Sequence, residues 1–210
     1  MPKIDFRKQH GDLYQPPAKE FTVVDVPPMQ FLMVDGHGDP NTAPEYQDAI
    51  EALYAVAYKV KFASKKGLEQ DYVVPPLEGL WWAEDMEAFT RRDKSAWDWT
   101  MMILQPEWIP GAMVAAAVRQ VASSKSLPAL PKLRLEAYHE ALSVQILHVG
   151  SYDDEGPVLQ RMHQQFIPES GFQSAGKHHE IYLSDARRVA PEKLRTVLRQ
   201  PVTRLEGVRS

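Results

Sequence analysis

The sequence predicts an α+β fold, built by tandem duplication of one strand-helix-strand unit. Three observations carry that prediction. Apolar residues alternate in some stretches and recur at helical spacing in others. A strand ending in glycine, an acidic turn and a proline-started helix occur twice, at Gly36 with Pro44 and at Gly150 with Pro157. Two glutamates, Glu78 and Glu180, fall at matching places in the strands that follow.

Each element has its own signal. Residues 1–19 are polar and end in Gln15-Pro16-Pro17, which predicts an arm before the first strand. Phe21 to Val26 alternates and is β-branched, the pattern of a strand, and Pro27-Pro28 interrupts it before Met29 to Val34 resumes. Thr42-Ala43-Pro44-Glu45 has the form of a capping box with proline in the first turn. Tyr46, Ile50, Leu53, Tyr54, Ala57 and Val60 continue at helical spacing, and Gly67 after Lys65-Lys66 marks a stop. Strands are expected over 72–82 and 97–104. Met113, Val114, Ala117, Val118 and Val121 form a second helical stripe.

The second half begins with one long expected strand, Leu135 to Val149. Asp153 or Asp154 is the expected cap of a helix that carries Pro157, with Leu159, Met162, Phe166 and Ile167 on one side. Lys177 to Ser184 is a short expected strand. Pro191 to Arg199 is expected as a helix or turn before a last strand near Val202. The expected organisation is an arm over 1–19 and one domain over 20–210, made of repeats at about 20–125 and 133–205.

Composition narrows the chemistry. The chain has 210 residues, hydrophobic residues are 44% and charged residues 25%, an ordinary globular balance. Lys+Arg 24 against Asp+Glu 28 gives a net charge of -4, which argues against direct nucleic-acid binding. There is no cysteine, so disulfides, thiol nucleophiles and cysteine metal sites are excluded. The N-terminus has no apolar signal core, and no apolar run is long enough to span a bilayer. A cytoplasmic protein, without membrane attachment and monomeric or weakly dimeric, is the expectation. His139-Glu140 lacks a second histidine at helical spacing, and no phosphate-binding loop, dinucleotide fingerprint or nucleophile elbow is present. No metal and no cofactor are expected.

Strand alternation sorts the chemistry-bearing side chains. His178, Glu180 and Tyr182 share one face, and His179, Ile181 and Leu183 share the other. The more apolar second set is expected to pack under the helix, so that Glu180 looks out over the opposite face. Glu78, Leu80 and Trp82 likewise share a face. Each glutamate therefore has an aromatic residue two positions downstream. Desolvation raises a carboxylate's pKa, which suits it to general acid or base work near neutral pH. All five tryptophans lie between Trp81 and Trp108. Trp81 is expected in the core. Trp82, Trp97 and Trp99 are either core or the wall of a flat aromatic cleft, and Trp108 is unplaced.

Pro75-Pro76-Leu77-Glu78-Gly79-Leu80-Trp81-Trp82, Tyr152-Asp153-Asp154-Glu155 and His178-His179-Glu180-Ile181-Tyr182-Leu183-Ser184-Asp185 resemble the GyrI-like small-molecule-binding superfamily. They are most similar to its stand-alone branch, which is associated with hydrolysis of cyclopropanoid natural products. The likeness extends from about Phe21 to Val202. It implies two tandem β-α-β-β modules whose antiparallel sheets form a central ligand groove, with helices on the outer face. It implies that Glu180 meets ligand. Transcriptional relatives carry a helix-turn-helix domain, for which the residues before Phe21 are expected to leave no room.

The resemblance implies three roles. In the first, Glu78 or Glu180 activates water to open the strained cyclopropane of a duocarmycin- or yatakemycin-like DNA alkylator, detoxifying it. The other glutamate, protonated, or Tyr182 would hydrogen-bond the carbonyl that gains phenolate character. Trp82, Trp97 and Trp99 would stack on the flat aromatic ligand, with His178 beside it. In the second, the same site binds aromatic or cationic molecules without chemistry. In the third, the chain interacts with a protein such as gyrase.

Overall fold

The computed structural model describes residues 2–84 and 93–205. Met1 of the expected arm and residues 206–210 of the expected domain lie outside the described residues. The chain divides into two compact units that are interleaved along the sequence. Unit 1 takes Met1–Gln9 and Met29–Tyr138, and unit 2 takes His10–Pro28 and His139–Ser210.

Unit 1 contains helix α1 (Phe6–Gln9), strand β2 (Met29–His37), helix α3 (Pro44–Gly67), strands β3 (Leu77–Trp82) and β4 (Asp98–Gln105), helix α4 (Gly111–Ala122) and strand β5 (Arg134–Tyr138). Its strands pair antiparallel in the order β3-β4-β2-β5. Helix α3 packs on this sheet through Ala49, Ala52, Leu53, Val56 and Val60, all buried. That face carries Trp81, cross-strand from Trp99, and Trp99 is in turn cross-strand from Gly36. The Trp99 ring lies over Gly36, where a Cβ would come within 2.0 Å of it, so only glycine admits the ring. Trp108 lies at the far end of α3, where its indole N–H donates to Ser64 Oγ and its ring meets Phe6 and Tyr72.

Unit 2 contains helix α2 (Gly11–Tyr14), strands β1 (Thr22–Val26) and β6 (Ala141–Val149), the turn Tyr152–Glu155, helix α5 (Gly156–Arg161), a π-turn Met162–Phe166, a last helical turn α6 (Ile167–Glu169), and strands β7 (Phe172–Ser174), β8 (His178–Tyr182) and β9 (Arg195–Arg204). Strands pair antiparallel in the order β1-β6-β9-β8, and β7 pairs with β9. One sheet face packs on the 156–169 helical segment through Val144, Ile146, Leu198 and Val202 against Met162 and Ile167. The helical side expected from Leu159, Met162, Phe166 and Ile167 is the side that packs.

Several local expectations are corrected. The stretch Leu135 to Val149 is not one strand. It breaks at His139-Glu140, Ala141 takes a φ of 61°, and its two parts belong to different units. The residue that caps α3 is Ala43, without a side-chain bond, because the helix starts at Pro44 and leaves Thr42 outside capping range. Asp153 and Asp154 lie within the 152–155 turn. Ser151 precedes it and donates from its hydroxyl to Asp154. The expected strand at 72–82 begins only at Leu77, and Tyr72 instead bridges Ile4. The last strand starts at Arg195, before Pro201, leaving only Pro191–Lys193 as a turn.

Candidate functional site

The register of unit 2 fixes where Glu180 points. Glu180 pairs with Leu198, which pairs with Ile146 on the other side. Ile146 and Leu198 pack under the helical segment, so Glu180 lies on the helix-covered face. This corrects the expectation that it faces away. His179 and Ile181 look apolar enough in β8 alone to be the packed face. In β9, however, Arg199 shares the face of His179, and it makes that row a polar one.

On the helix side, His178, Glu180 and Tyr182 follow one another at strand spacing. The Tyr182 hydroxyl donates to Glu180 Oε2 at 2.7 Å. Glu180 Oε1 lies 3.6 Å from His178 Nε2, beyond hydrogen-bond range, with the side chains 16% and 10% exposed. Both ring nitrogens of His178 are buried without a hydrogen-bond partner among the described residues. So is Thr196 Oγ1, on the β9 residue paired with Tyr182.

Two residues from outside β8 complete the cluster. Tyr152 meets the Tyr182 ring edge-on, with centroids 5.7 Å apart. Desolvation, then the charges of Glu180, Glu155 and Asp185, push its hydroxyl up to about 12. It is therefore a protonated donor at neutral pH. The His163 ring lies 6.4 Å from that of His178, and its Nδ1 is 3.2 Å from Ser174 Oγ. Burial, then the neighbouring His178, push His163 down to about 4, so it is neutral at pH 7. Sequence reasoning missed both roles. In the sequence Tyr152 stands out only within the Tyr152-Asp153-Asp154-Glu155 run, and nothing local connects His163 to His178.

The unit 1 residues divide between two faces. Glu78 is 1% exposed and shares a face of β3 with Leu80 and half-buried Trp82. Trp99 is completely buried on the other face, edge-on to Tyr46 of α3 at 5.4 Å. Half-buried Trp97 joins it there, edge-on to Trp81 at 5.8 Å. The proposed aromatic wall of Trp82, Trp97 and Trp99 is thus corrected: Trp97 and Trp99 belong to the cluster under α3, and only Trp82 accompanies Glu78. The physical reason is the space over Gly36, which draws Trp99 inward.

Among the described residues no group of three His, Asp or Glu side chains is arranged to hold a metal ion. None of the described helices is long and apolar enough to cross a membrane.

Comparison with known proteins places the chain in a family. The GyrI-like small molecule binding domain family matches residues 19–203. An uncharacterized conserved protein from Listeria innocua is similar at 38% identity and a TM-score of 0.87, covering 96% of this chain and 100% of its own. A hydrolase from Listeria innocua is similar at 37% identity and a TM-score of 0.83, with the same coverage. The C-terminal domain of EcmrR shares the fold at 10% identity and a TM-score of 0.56, covering 89% of this chain and 98% of its own. No curated protein matches the chain.

Proposed function

Since the chain belongs to the GyrI-like small molecule binding domain family, we propose that it is a hydrolase of small aromatic electrophiles, with Glu180 as general base. The observation that carries the reading is the Tyr182–Glu180 hydrogen bond beside a histidine whose buried ring nitrogens have no hydrogen-bond partner among the described residues. The Listeria hydrolase, alike over the whole of its length, supports the reaction class.

The substrate class is a cyclopropane conjugated to a quinone-like carbonyl, as in duocarmycin- and yatakemycin-like alkylators. Tyr182 holds Oε2, which leaves Oε1 to take a proton from water. The water oxygen bonds to the ring methylene, a cyclopropane C–C bond breaks, and its electron pair passes through the conjugated system to the carbonyl oxygen. That oxygen becomes a phenolate and ends protonated, so the product is the substrate plus one water. Tyr182 has a single O–H, already engaged in its hydrogen bond to Glu180. The donor to the developing phenolate is therefore Tyr152, which keeps its proton at neutral pH. His178 offers a further hydrogen bond to the ligand. Glu78 with Trp82 is the counterpart of Glu180 with Tyr182 in a duplicated β-α-β-β module.

Mass spectrometry after incubation with a duocarmycin-type compound tests the reading, the expected product having gained one water. Glu180→Gln is expected to abolish turnover and keep binding, while Glu78→Gln reports whether the counterpart takes part. Undiminished turnover in both variants sinks the mechanism. A compound that binds and is recovered unchanged assigns the chain to sequestration instead.

A further inference from the structure

The face of β8 opposite Glu180 carries a buried ionic network that the proposed reaction does not use. His179 Nδ1 lies 3.0 Å from both carboxylate oxygens of Glu140. Both of these oxygens are acceptors, so the nitrogen facing them carries the proton. Glu140 Oε2 also accepts from Arg199 Nη1 at 2.9 Å. Arg199 Nε donates to Gln145 Oε1 at 2.9 Å, and its Nη2 donates to the Leu13 carbonyl at 2.6 Å. Gln145 Nε2 donates in turn to the Asp12 carbonyl at 2.6 Å. The side chains of Glu140, His179 and Arg199 are each 1% exposed.

Such a network contributes little net stability compared with an apolar core, because desolvating the charges offsets their attraction. What it supplies is a unique arrangement. Gln145, Arg199 and His179 are consecutive cross-strand neighbours. Ile146, Leu198 and Glu180 form the adjacent row on the opposite face. A slip of β8 by one residue would turn Glu180 toward Arg199, whose buried guanidinium would attract it. Glu140 already neutralises that guanidinium, and the His179 ring occupies the place beside it.

We infer that Glu140, His179 and Arg199 are positioning residues, which lock the register of β8 from behind and so hold the Glu180 carboxylate against Tyr182 and His178. This rests on the reading of Glu180 as the working carboxylate. The carbonyls of Asp12 and Leu13 make these two residues part of the lock.

Two substitutions of His179 separate position from bulk. His179→Leu keeps volume and loses the donor; His179→Asn keeps an N–H near the place of Nδ1. Each is measured for kcat and KM, and by the ring carbon NMR resonance of Tyr182, assigned with Tyr182→Phe. In His179→Leu, kcat is expected to fall roughly 10- to 100-fold with KM within about threefold, as misplacement of a reacting group demands. The Tyr182 resonance shifts as its bond to Glu180 loosens. His179→Asn returns both toward wild type. Wild-type kcat and resonance in His179→Leu overturn the proposal, as does an Asn variant as impaired as the Leu variant. If the wild-type protein turns over no compound, the reaction is wrong, yet the Tyr182 resonance still decides the lock. Should His179→Leu fail to fold, Glu140→Gln is read by the same resonance: a shift supports the lock, and an unchanged resonance overturns it.

Discussion

The Tyr182 hydroxyl has one hydrogen bond to donate, and Glu180 accepts it. The two tyrosines therefore have different tasks. Tyr152→Phe removes the proposed donor to the developing phenolate, and kcat should fall about 100-fold with KM little changed, the usual cost of losing one such donor. Tyr182→Phe leaves the carboxylate unrestrained, so both kcat and KM should change; steady-state kinetics on the two variants separates the roles. The Glu180–Tyr182 spacing was legible in the sequence, because alternation puts residues two apart on one side of a strand. The side itself was not legible. It depends on Leu198 and Ile146, which come from two other strands. Tyr152 was equally hidden, since its contact with Tyr182 joins a turn to a strand distant in sequence.

Helix α3 was legible from its apolar stripe and its Lys65-Lys66-Gly67 end, while its start was misread by one residue. Pro44 is the first helical residue, so Ala43 holds the capping place and offers no side-chain oxygen to the first amides. Ala43→Asp should therefore stabilise the protein by about 1 kcal/mol, read from urea denaturation midpoints. An unchanged midpoint would mean that the first turn is satisfied by other means. Strands β5 and β6 merged in the sequence reading because both alternate and only His139-Glu140 separates them. The corner between them uses an alanine at positive φ, a conformation that carries no sequence signal when glycine is absent. Pro201 hid the middle of β9, since proline ordinarily argues against a strand interior.

Across the whole molecule, acid should be the destabilising direction, for two reasons that act in succession. His163 sits at about 4 in the folded protein against an ordinary 6.5. Between those values the unfolded chain binds the extra proton, so stability is full above 6.5 and falls as pH drops toward 4. Glu140 sits at about 2 against an ordinary 4.5: burial alone would raise it, but His179 and Arg199 outweigh that. Its contribution is present above 4.5 and is lost as pH drops toward 2. Urea denaturation across that pH range should show both stages, and His163→Gln should flatten the first while leaving the second. An unaltered first stage in that variant would remove His163 from the account. Trp81, Trp82, Trp97, Trp99 and Trp108 all belong to unit 1, so tryptophan fluorescence follows that unit, and tyrosine or histidine signals are needed for unit 2.

The interleaving of the two units sets a problem for the nascent chain. Strand β1 leaves the ribosome well before its partner β6, which follows only after the entire sheet of unit 1 has been made. At ribosomal rates of roughly 5–20 residues per second, the wait lasts on the order of ten seconds. Throughout it, Phe21 to Val26 is an unpaired, β-branched segment of the kind that seeds aggregation. Its flanks carry what such a segment needs: Lys19-Glu20 before it, Asp25 within it and Pro27-Pro28 after it. Charges and prolines in those places discourage intermolecular pairing. The proline pair that interrupts two strands in the folded protein thus also acts as a gatekeeper during synthesis.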